Sequence, residues 1–426
     1  MDHFHYRDGR LFCEEVDLPK LAQEHGTPLF VYSKATFSEH YDRMAEAFSP
    51  LNPLLCYAVK SNANLSVLKL LGERGAGMDV VSGGELHRAM AAGIDPAKCV
   101  YAGVGKTDSE IRFALQSGIG SLNVESEQEL EATAAIAKEL GVSAPITVRV
   151  NPDVDPNTHR HTTTGTRETK FGIDRERIRD LFSIHADNSF LSMDGLHVHL
   201  GSPIASTEPF VKGIKRLLEL ADALGDDGHP ITRLDIGGGF AADYETGHSP
   251  SSADYAKAIN PLLQQRVEDG LQVVLEPGRS IAANAGVLLL NVVVKKTSGE
   301  RTFLVLDGGM NVLLRPSHYD AFHFAWPAIT DTPPPVRTAE PDVPGLGPVD
   351  LVGPICETGD FIARDRMFPS CSRGDLIAIF AAGAYGMTMA SRYNAMPLPA
   401  EIMVDGDHAH IARTRETWDD LIAHER

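Results

Sequence analysis

Leu54-Leu55-Cys56-Tyr57-Ala58-Val59-Lys60-Ser61-Asn62 is the stretch on which the reading of this chain turns. A short apolar run that stops at turn residues has the pattern of a buried strand. Here Val59 hands directly to an amine, which places Lys60 at the strand's C-terminal mouth. Surface lysines behind strands are commonplace, so the meaning of Lys60 depends on what the rest of the chain sets around it.

The same rhythm recurs outward from this point. Strand-like runs fall at 54–59, 77–81, 99–102, 121–124, 146–150, 193–198, 232–236 and 272–275, with amphipathic helical segments between most of them. Thr107-Asp108-Ser109-Glu110 and Ser126-Glu127-Gln128-Glu129 both have the form of a capping box. Gly75, Gly93, Gly118, Gly141 and Gly225 suit helix ends. Eight strands alternating with helices match the count and size of a (β/α)8 TIM-type barrel. A doubly wound sheet is the other arrangement that such alternation allows.

On the N-terminal side, Thr27-Pro28-Leu29-Phe30-Val31-Tyr32 reads as a strand, and Phe37, Tyr41, Met44 and Phe48 recur at helical spacing after Lys34. Beyond about residue 285 the pattern becomes β-rich, with runs at 287–294, 302–307, 376–380 and 400–404 and no long helix between the first two. The sequence thus predicts an α/β barrel over 34–284 and a C-terminal all-β domain over 285–426, joined by the N-terminal strand within 1–33. Residues 331–348, which include Pro333-Pro334-Pro335, read as a loop.

Composition excludes several function classes. Of 426 residues, 43% are hydrophobic and 23% charged, ordinary values for a soluble globular protein. A net charge of −19 argues against sequence-independent nucleic-acid binding and against anionic membrane surfaces. The first ten residues lack an apolar signal region, and no apolar run reaches the roughly eighteen residues of a membrane span. Cys13, Cys56, Cys99, Cys356 and Cys371 are scattered and odd in number, with neither a disulfide framework nor zinc-ligand spacing. The expectation is a cytoplasmic protein without a metal.

Barrel chemistry comes from the C-terminal ends of the strands. Those ends carry Lys60, Asp79 with Ser82-Gly83-Gly84, Lys106, Glu125, Arg149, His199 with Gly201-Ser202, Gly237-Gly238-Gly239, and Glu276 with Arg279. Three glycines let backbone N–H groups approach an anion, and the loops after strands seven and eight are where barrels often hold phosphate; a tight turn is the plainer reading. His197 and His199 alternate onto one face, one of them suited to a structural role. Two histidines also suggest a metal, but no third ligand has suitable spacing. Glu276 could hold a proton on a heteroaromatic nitrogen, or form an ordinary ion pair. An imine-forming lysine, a phosphate cradle, a ring-facing histidine and a carboxylate are together the parts that hold pyridoxal 5′-phosphate. The set fits decarboxylation better than hydride or phosphoryl transfer.

With these residues in view, the chain resembles the diaminopimelate decarboxylases, within the fold-type III pyridoxal-phosphate group that also contains ornithine and arginine decarboxylases. The resemblance runs from Tyr57-Ala58-Val59-Lys60 through Asp79-Val80-Val81-Ser82-Gly83-Gly84-Glu85, Lys170-Phe171-Gly172-Ile173, His199-Leu200-Gly201-Ser202, the triple glycine and Glu276-Pro277-Gly278-Arg279 to Tyr393-Asn394. Gly309-Met310-Asn311-Val312-Leu313-Leu314-Arg315-Pro316 with Tyr319, and Gly353-Pro354-Ile355-Cys356-Glu357-Thr358-Gly359-Asp360, resemble the diaminopimelate branch specifically. It implies that Lys60 bonds the cofactor and His199 stacks on its ring. Ser202, Gly238, Gly239 and Tyr385 would meet the phosphate and Glu276 the pyridine nitrogen, with Asp79, Pro277, Gly278 and Arg279 also lining the cofactor site. Arg279, Arg315 and Tyr319 would hold substrate carboxylates, Glu357 the distal ammonium, and Tyr385 would also touch substrate.

Cys356 is implied to enter from a partner subunit and return a proton, so that a homodimer shares its active sites. The implied reaction takes meso-2,6-diaminopimelate to L-lysine and carbon dioxide, the last step of lysine biosynthesis. Two positions depart from the family pattern: Pro203 stands where Gln is common, and Ala395-Met396-Pro397-Leu398-Pro399 replaces an arginine-bearing run. Other readings are a fold-type III decarboxylase acting on carboxynorspermidine or a basic amino acid, and a barrel kept only for binding. Arg315, Tyr319, Cys356 and Glu357 speak against the first, and Lys60, His199 and Glu276 against the second.

Overall fold

The computed structural model describes residues 2–155, 164–165, 169–332 and 334–425. Eight parallel strands form the sequence-expected barrel: Leu54–Ala58 (β1), Gly77–Val80 (β2), Cys99–Tyr101 (β3), Ser121–Val124 (β4), Ala144–Asn151 (β5), Leu191–His197 (β6), Arg233–Asp235 (β7) and Gln272–Leu275 (β8). Closure is direct. Leu54 and Leu55 of β1 pair with Val274 and Leu275 of β8, while Cys56, Tyr57 and Ala58 pair with Gly77, Met78 and Asp79 of β2. A closed parallel sheet is covered on both faces, which explains why these strands read as continuous apolar runs rather than as alternation. The doubly wound alternative is excluded by the β8–β1 pairing.

Local signals were followed with three exceptions. Thr107 and Glu110 form the full capping box, whereas Ser126 caps only the Glu129 N–H and the Glu129 side chain turns to the Glu125 N–H instead. Gly225 does not end its helix: Glu208–Asp226 runs past it, and Gly228, at φ +91°, stands beyond the end. The first strand stops at Ala58, and Lys60 sits in a one-turn 3-10 helix, Val59–Ser61, that Ser61 Oγ braces against the Ala58 carbonyl at 2.8 Å.

The second unit is β-rich rather than all-β. Its sheet runs Phe361–Phe368, Gly347–Val352, Arg301–Leu306, Gly286–Ser298, Leu29–Ser33, Ala400–Asp405, His408–Arg413. The N-terminal strand Leu29–Ser33 lies inside it, antiparallel to Gly286–Leu289 and parallel to Ala400–Val404. Leu29, Val31, Val287, Leu289, Trp326, Phe380 and Ile402 share one buried core. Short helices interrupt the β pattern. Leu18–His25 starts on the Asp17 side chain and ends at Gly26, φ +70°, and Arg315–Tyr319 supplies a single turn. The 331–348 segment is irregular up to residue 346, with Pro333 outside the described residues, and its last two residues begin the Gly347–Val352 strand. By contacts the chain divides into 41–241 with 250–279, and 1–40 with 242–249 and 280–426, so residues 242–249 go with the β-rich unit. No helix among the described residues is long and apolar enough to cross a membrane.

Candidate active site

At the barrel mouth, Lys60 Nζ lies 2.5 Å from Asp79 Oδ2. The lysine is about one-third exposed and the aspartate fully buried, so the amine faces outward on a carboxylate anchor. Burial, reinforced by the nearby Glu276 charge and opposed by Lys60, pushes the Asp79 carboxyl up to about 6.

Beneath the mouth, neighbouring strands bring His197 (β6), Asp235 (β7) and Glu276 (after β8) together, one ligand atom of each within 4.8 Å of the others. Two of its members, Asp235 and Glu276, come from other strands, so the spacing around His197 and His199 did not reveal the cluster. Asp235 accepts the Gly237 N–H at 2.9 Å and the Asn123 amide at 3.2 Å. Burial and the adjacent Glu276 raise its carboxyl well above the ordinary value. Burial also works against ionising Glu276, yet its interactions with His197 and the Lys60 charge outweigh it and hold this carboxyl below its usual range. Glu276 Oε1 is buried without a hydrogen-bond partner among the described residues, and His197 Nε2, at 3.5 Å, is too distant to serve as one. The trio therefore leaves one ionised oxygen ready to accept.

His199 lies beyond the end of β6, and its Nδ1 accepts the Gly238 N–H at 3.1 Å. That bond puts the proton of the neutral ring on Nε2, and burial together with Lys60 and Arg149 holds the ring well below the ordinary histidine value. The Gly238 N–H is thus engaged by His199, which the phosphate-cradle reading did not anticipate. The glycines are sterically required: a Cβ on Gly238 would come 2.3 Å from the Glu276 carbonyl, and one on Gly239 2.4 Å from that of Gly201. Arg279 Nε donates to Ser202 Oγ at 3.1 Å, setting a cation beside the same rim. Pro277 and Gly278 are buried, and the Pro277 carbonyl accepts the Ala58 N–H at 3.1 Å, tying β8 to the Lys60 turn.

Three other strand-end groups prove to be internal braces. Lys106 pairs with Glu129 at 2.6 Å and caps the Gly103 and Asn123 carbonyls, while Arg149 pairs with Glu125 at 2.9 Å. Phe171 covers the Arg149 guanidinium at 4.8 Å, and Gly172 donates to Glu125 at 3.2 Å, which accounts for the Lys170–Ile173 motif. Ser82 caps the helix Gly83–Ala91 and Gly83 donates to Glu110.

In the β-rich unit, Arg315 and Tyr319 share one helical turn, four residues apart on one face. Cys356 and Glu357 lie exposed on the turn before Phe361–Phe368, with the thiol free. Tyr393 donates to Glu357 at 3.1 Å and Asn394 accepts the Cys356 N–H at 2.9 Å. The departing run that contains Met396 therefore begins beside the Cys356 turn. Tyr385 is half-buried at φ +55°, a left-handed conformation uncommon for a bulky residue and typical of functional turns. Asp360, which closes the Gly353–Asp360 motif but was given no role, and Tyr244 and His323, which lie in no motif, carry structural weight at these positions. An acidic residue between glycine and an apolar strand was the available signal for Asp360; Tyr244 and His323 had none.

These residues fit pyridoxal phosphate on structural grounds: a one-third-exposed amine on a buried carboxylate, a buried carboxylate oxygen with no hydrogen-bond partner among the described residues, and a glycine turn with no room for side chains. Residues 34–283 match the family described as pyridoxal-dependent decarboxylase, pyridoxal binding domain. A diaminopimelate decarboxylase of Pseudomonas aeruginosa is 45% identical over 425 residues, covering 100% of this chain and 99% of that one. The crystal structure of diaminopimelate decarboxylase from Helicobacter pylori complexed with L-lysine superposes with a TM-score of 0.89 at 37% identity, covering 96% of this chain and 99% of that one. That from M. jannaschii in complex with L-lysine gives 0.92 at 33%, covering 100% and 98%.

Proposed function

The chain belongs to the diaminopimelate decarboxylase family of pyridoxal-dependent enzymes, and from that premise we propose that it converts meso-2,6-diaminopimelate to L-lysine and carbon dioxide, the last step of lysine biosynthesis, in the cytoplasm. The observation that carries the reading is one end of the barrel holding the Lys60 amine together with a Glu276 oxygen that has no hydrogen-bond partner among the described residues and belongs to a carboxyl held below its usual range.

Bound pyridoxal phosphate supplies an electron-poor ring that takes up the electron pair left when a carboxylate departs as carbon dioxide. Lys60 would be the amine that holds the cofactor, and Asp79 keeps Nζ aimed at the mouth. Glu276 would accept from the ring nitrogen and keep a proton there, with Asp235 and His197 gathered beside that carboxylate. His199, neutral, presents its flat face. Ser202, Gly238, Gly239, Arg279 and Tyr385 serve the phosphate, with the Gly238 N–H acting through His199.

We assign the cofactor to the barrel domain, 34–284, and substrate selection to the β domain, 1–33 with 285–426. Arg279, Arg315 and Tyr319 hold carboxylates and Glu357 the distal ammonium, so that opposite charges at fixed separation match a substrate with two of each. Cys356 returns a proton to the carbon that lost its carboxylate. Because Cys356 and Glu357 stand exposed on their own chain, they complete the site of a second copy, and the working form is a homodimer. A site built for two carboxylates discriminates against lysine and ornithine, which carry one.

The test is carbon dioxide release from meso-diaminopimelate against L-lysine, L-ornithine and carboxynorspermidine, with pyridoxal phosphate added. Strong preference for diaminopimelate is expected. Preference for another substrate would overturn the specificity, and no release from any would overturn the activity.

A further inference from the structure

Arg315 is only 6% exposed, and its Nη1 lies 2.8 Å from Nε2 of His323. The other nitrogen of that ring, Nδ1, lies 2.9 Å from the Phe380 carbonyl oxygen. A guanidinium has donors and no lone pair, and a carbonyl only accepts. These two neighbours leave His323 one form: a neutral ring, protonated on Nδ1, with the Nε2 lone pair accepting from Arg315. Tyr244 completes the arrangement. The Arg315 guanidinium lies over its ring at 4.5 Å, and its ring meets that of His323 edge-on at 5.3 Å. From the strand Phe361–Phe368, Arg366 donates to the His323 carbonyl at 3.3 Å.

We propose that His323 is a positioning residue that sets substrate specificity by aiming the Arg315 guanidinium at a substrate carboxylate, with Tyr244 fixing the plane of the guanidinium. The inference rests on the reading of Arg315 as a carboxylate ligand. The chemistry explains why a histidine stands there. A carboxylate in its place would orient Arg315 equally well but would cancel the charge that the substrate needs. A neutral imidazole orients the cation and leaves its charge. His323 is fully buried, so bulk solvent does not take over its accepting role when the ring is removed. A wandering arginine would still attract carboxylates, but without the bidentate geometry that separates a diacid from an amino acid with one carboxylate.

The experiment compares wild type with His323→Leu, His323→Gln and Arg315→Ala, reading KM and kcat for meso-diaminopimelate and the kcat/KM ratio against L-lysine. His323→Leu should raise KM by about tenfold or more, equivalent to about 1.4 kcal/mol, with kcat within about threefold and a reduced ratio. His323→Gln carries an amide oxygen able to accept from Arg315 and should recover most of the loss. A folded His323→Leu enzyme with wild-type KM, or a Gln variant as impaired as Leu, would overturn the proposal. Should His323→Leu not fold, His323→Asn, whose shorter amide stops short of Arg315, takes its place with the same expectation. An unchanged KM in Arg315→Ala would instead overturn the underlying assignment of Arg315.

Discussion

Asp360→Ala tests how the substrate-selecting loops are held. Asp360 is 4% exposed, and its two oxygens accept the N–H groups of Met310 and Ile355, each at 2.6 Å. One N–H belongs to the loop leading to Arg315, the other to the turn bearing Cys356 and Glu357. Gly309 and Gly353 crowd the same carboxylate so closely that a Cβ on either would lie 2.0 or 2.4 Å from its oxygens. Alanine leaves two interior N–H groups without acceptors, at about 1–3 kcal/mol each, so the loss should be about 2–6 kcal/mol. Burial raises the Asp360 carboxyl above its ordinary value, and those two bonds oppose the shift. Asp360→Asn, which keeps one acceptor, should therefore cost about half as much. Urea unfolding, with the slope checked for constancy, measures the loss. Native-state hydrogen exchange at the Met310 and Ile355 amides localises it, since both should lose protection while the barrel strands keep theirs. KM for diaminopimelate should rise as well. An alanine variant within about 0.5 kcal/mol of wild type, with both amides still protected, would refute the reasoning.

Two further predictions follow from other parts of the molecule. Lys60→Ala and Cys356→Ala should each be inactive alone and regain activity when mixed, because one of the two sites in a mixed dimer is intact; no recovery under proven subunit exchange would refute a shared site. Burial pushes the Glu85 carboxyl up from 4.5 to about 7, so its protonated form favours the folded state. That stabilisation is complete below about pH 4.5 and lost as pH rises through about 7, by up to about 3 kcal/mol. Urea midpoints of Glu85→Gln should fall less over this range than those of wild type, and parallel profiles would contradict the assignment.

Much of the architecture was legible because local chemistry and tertiary demand agreed. The eight barrel strands were readable as apolar runs because a closed parallel sheet buries both faces. The short Leu18–His25 helix passed unread although Asp17, Pro19 and Gly26 punctuate it, since eight residues give periodicity little room. Ser126 fitted a capping box by spacing, but a competing donor, the Glu125 N–H, drew the Glu129 side chain away. Lys106 and Arg149 looked as functional as Lys60; all three have a buried carboxylate partner, and only the burial of the cations themselves distinguishes the two braces from the one-third-exposed amine of Lys60.

What the sequence determined by itself was the repeating unit, the positions of Lys60, His199 and Glu276 at strand ends, and through them the cofactor. Those follow from periodicity and residue chemistry, which are local. The tertiary structure alone decided the titration pattern: Glu276 held below its ordinary value, Asp235 raised above it, His199 accepting at Nδ1 and His323 donating at Nδ1. A side chain's charge in the interior depends on which groups other strands bring within a few ångströms, and on the water they exclude. Sequence spacing carries no record of that distance.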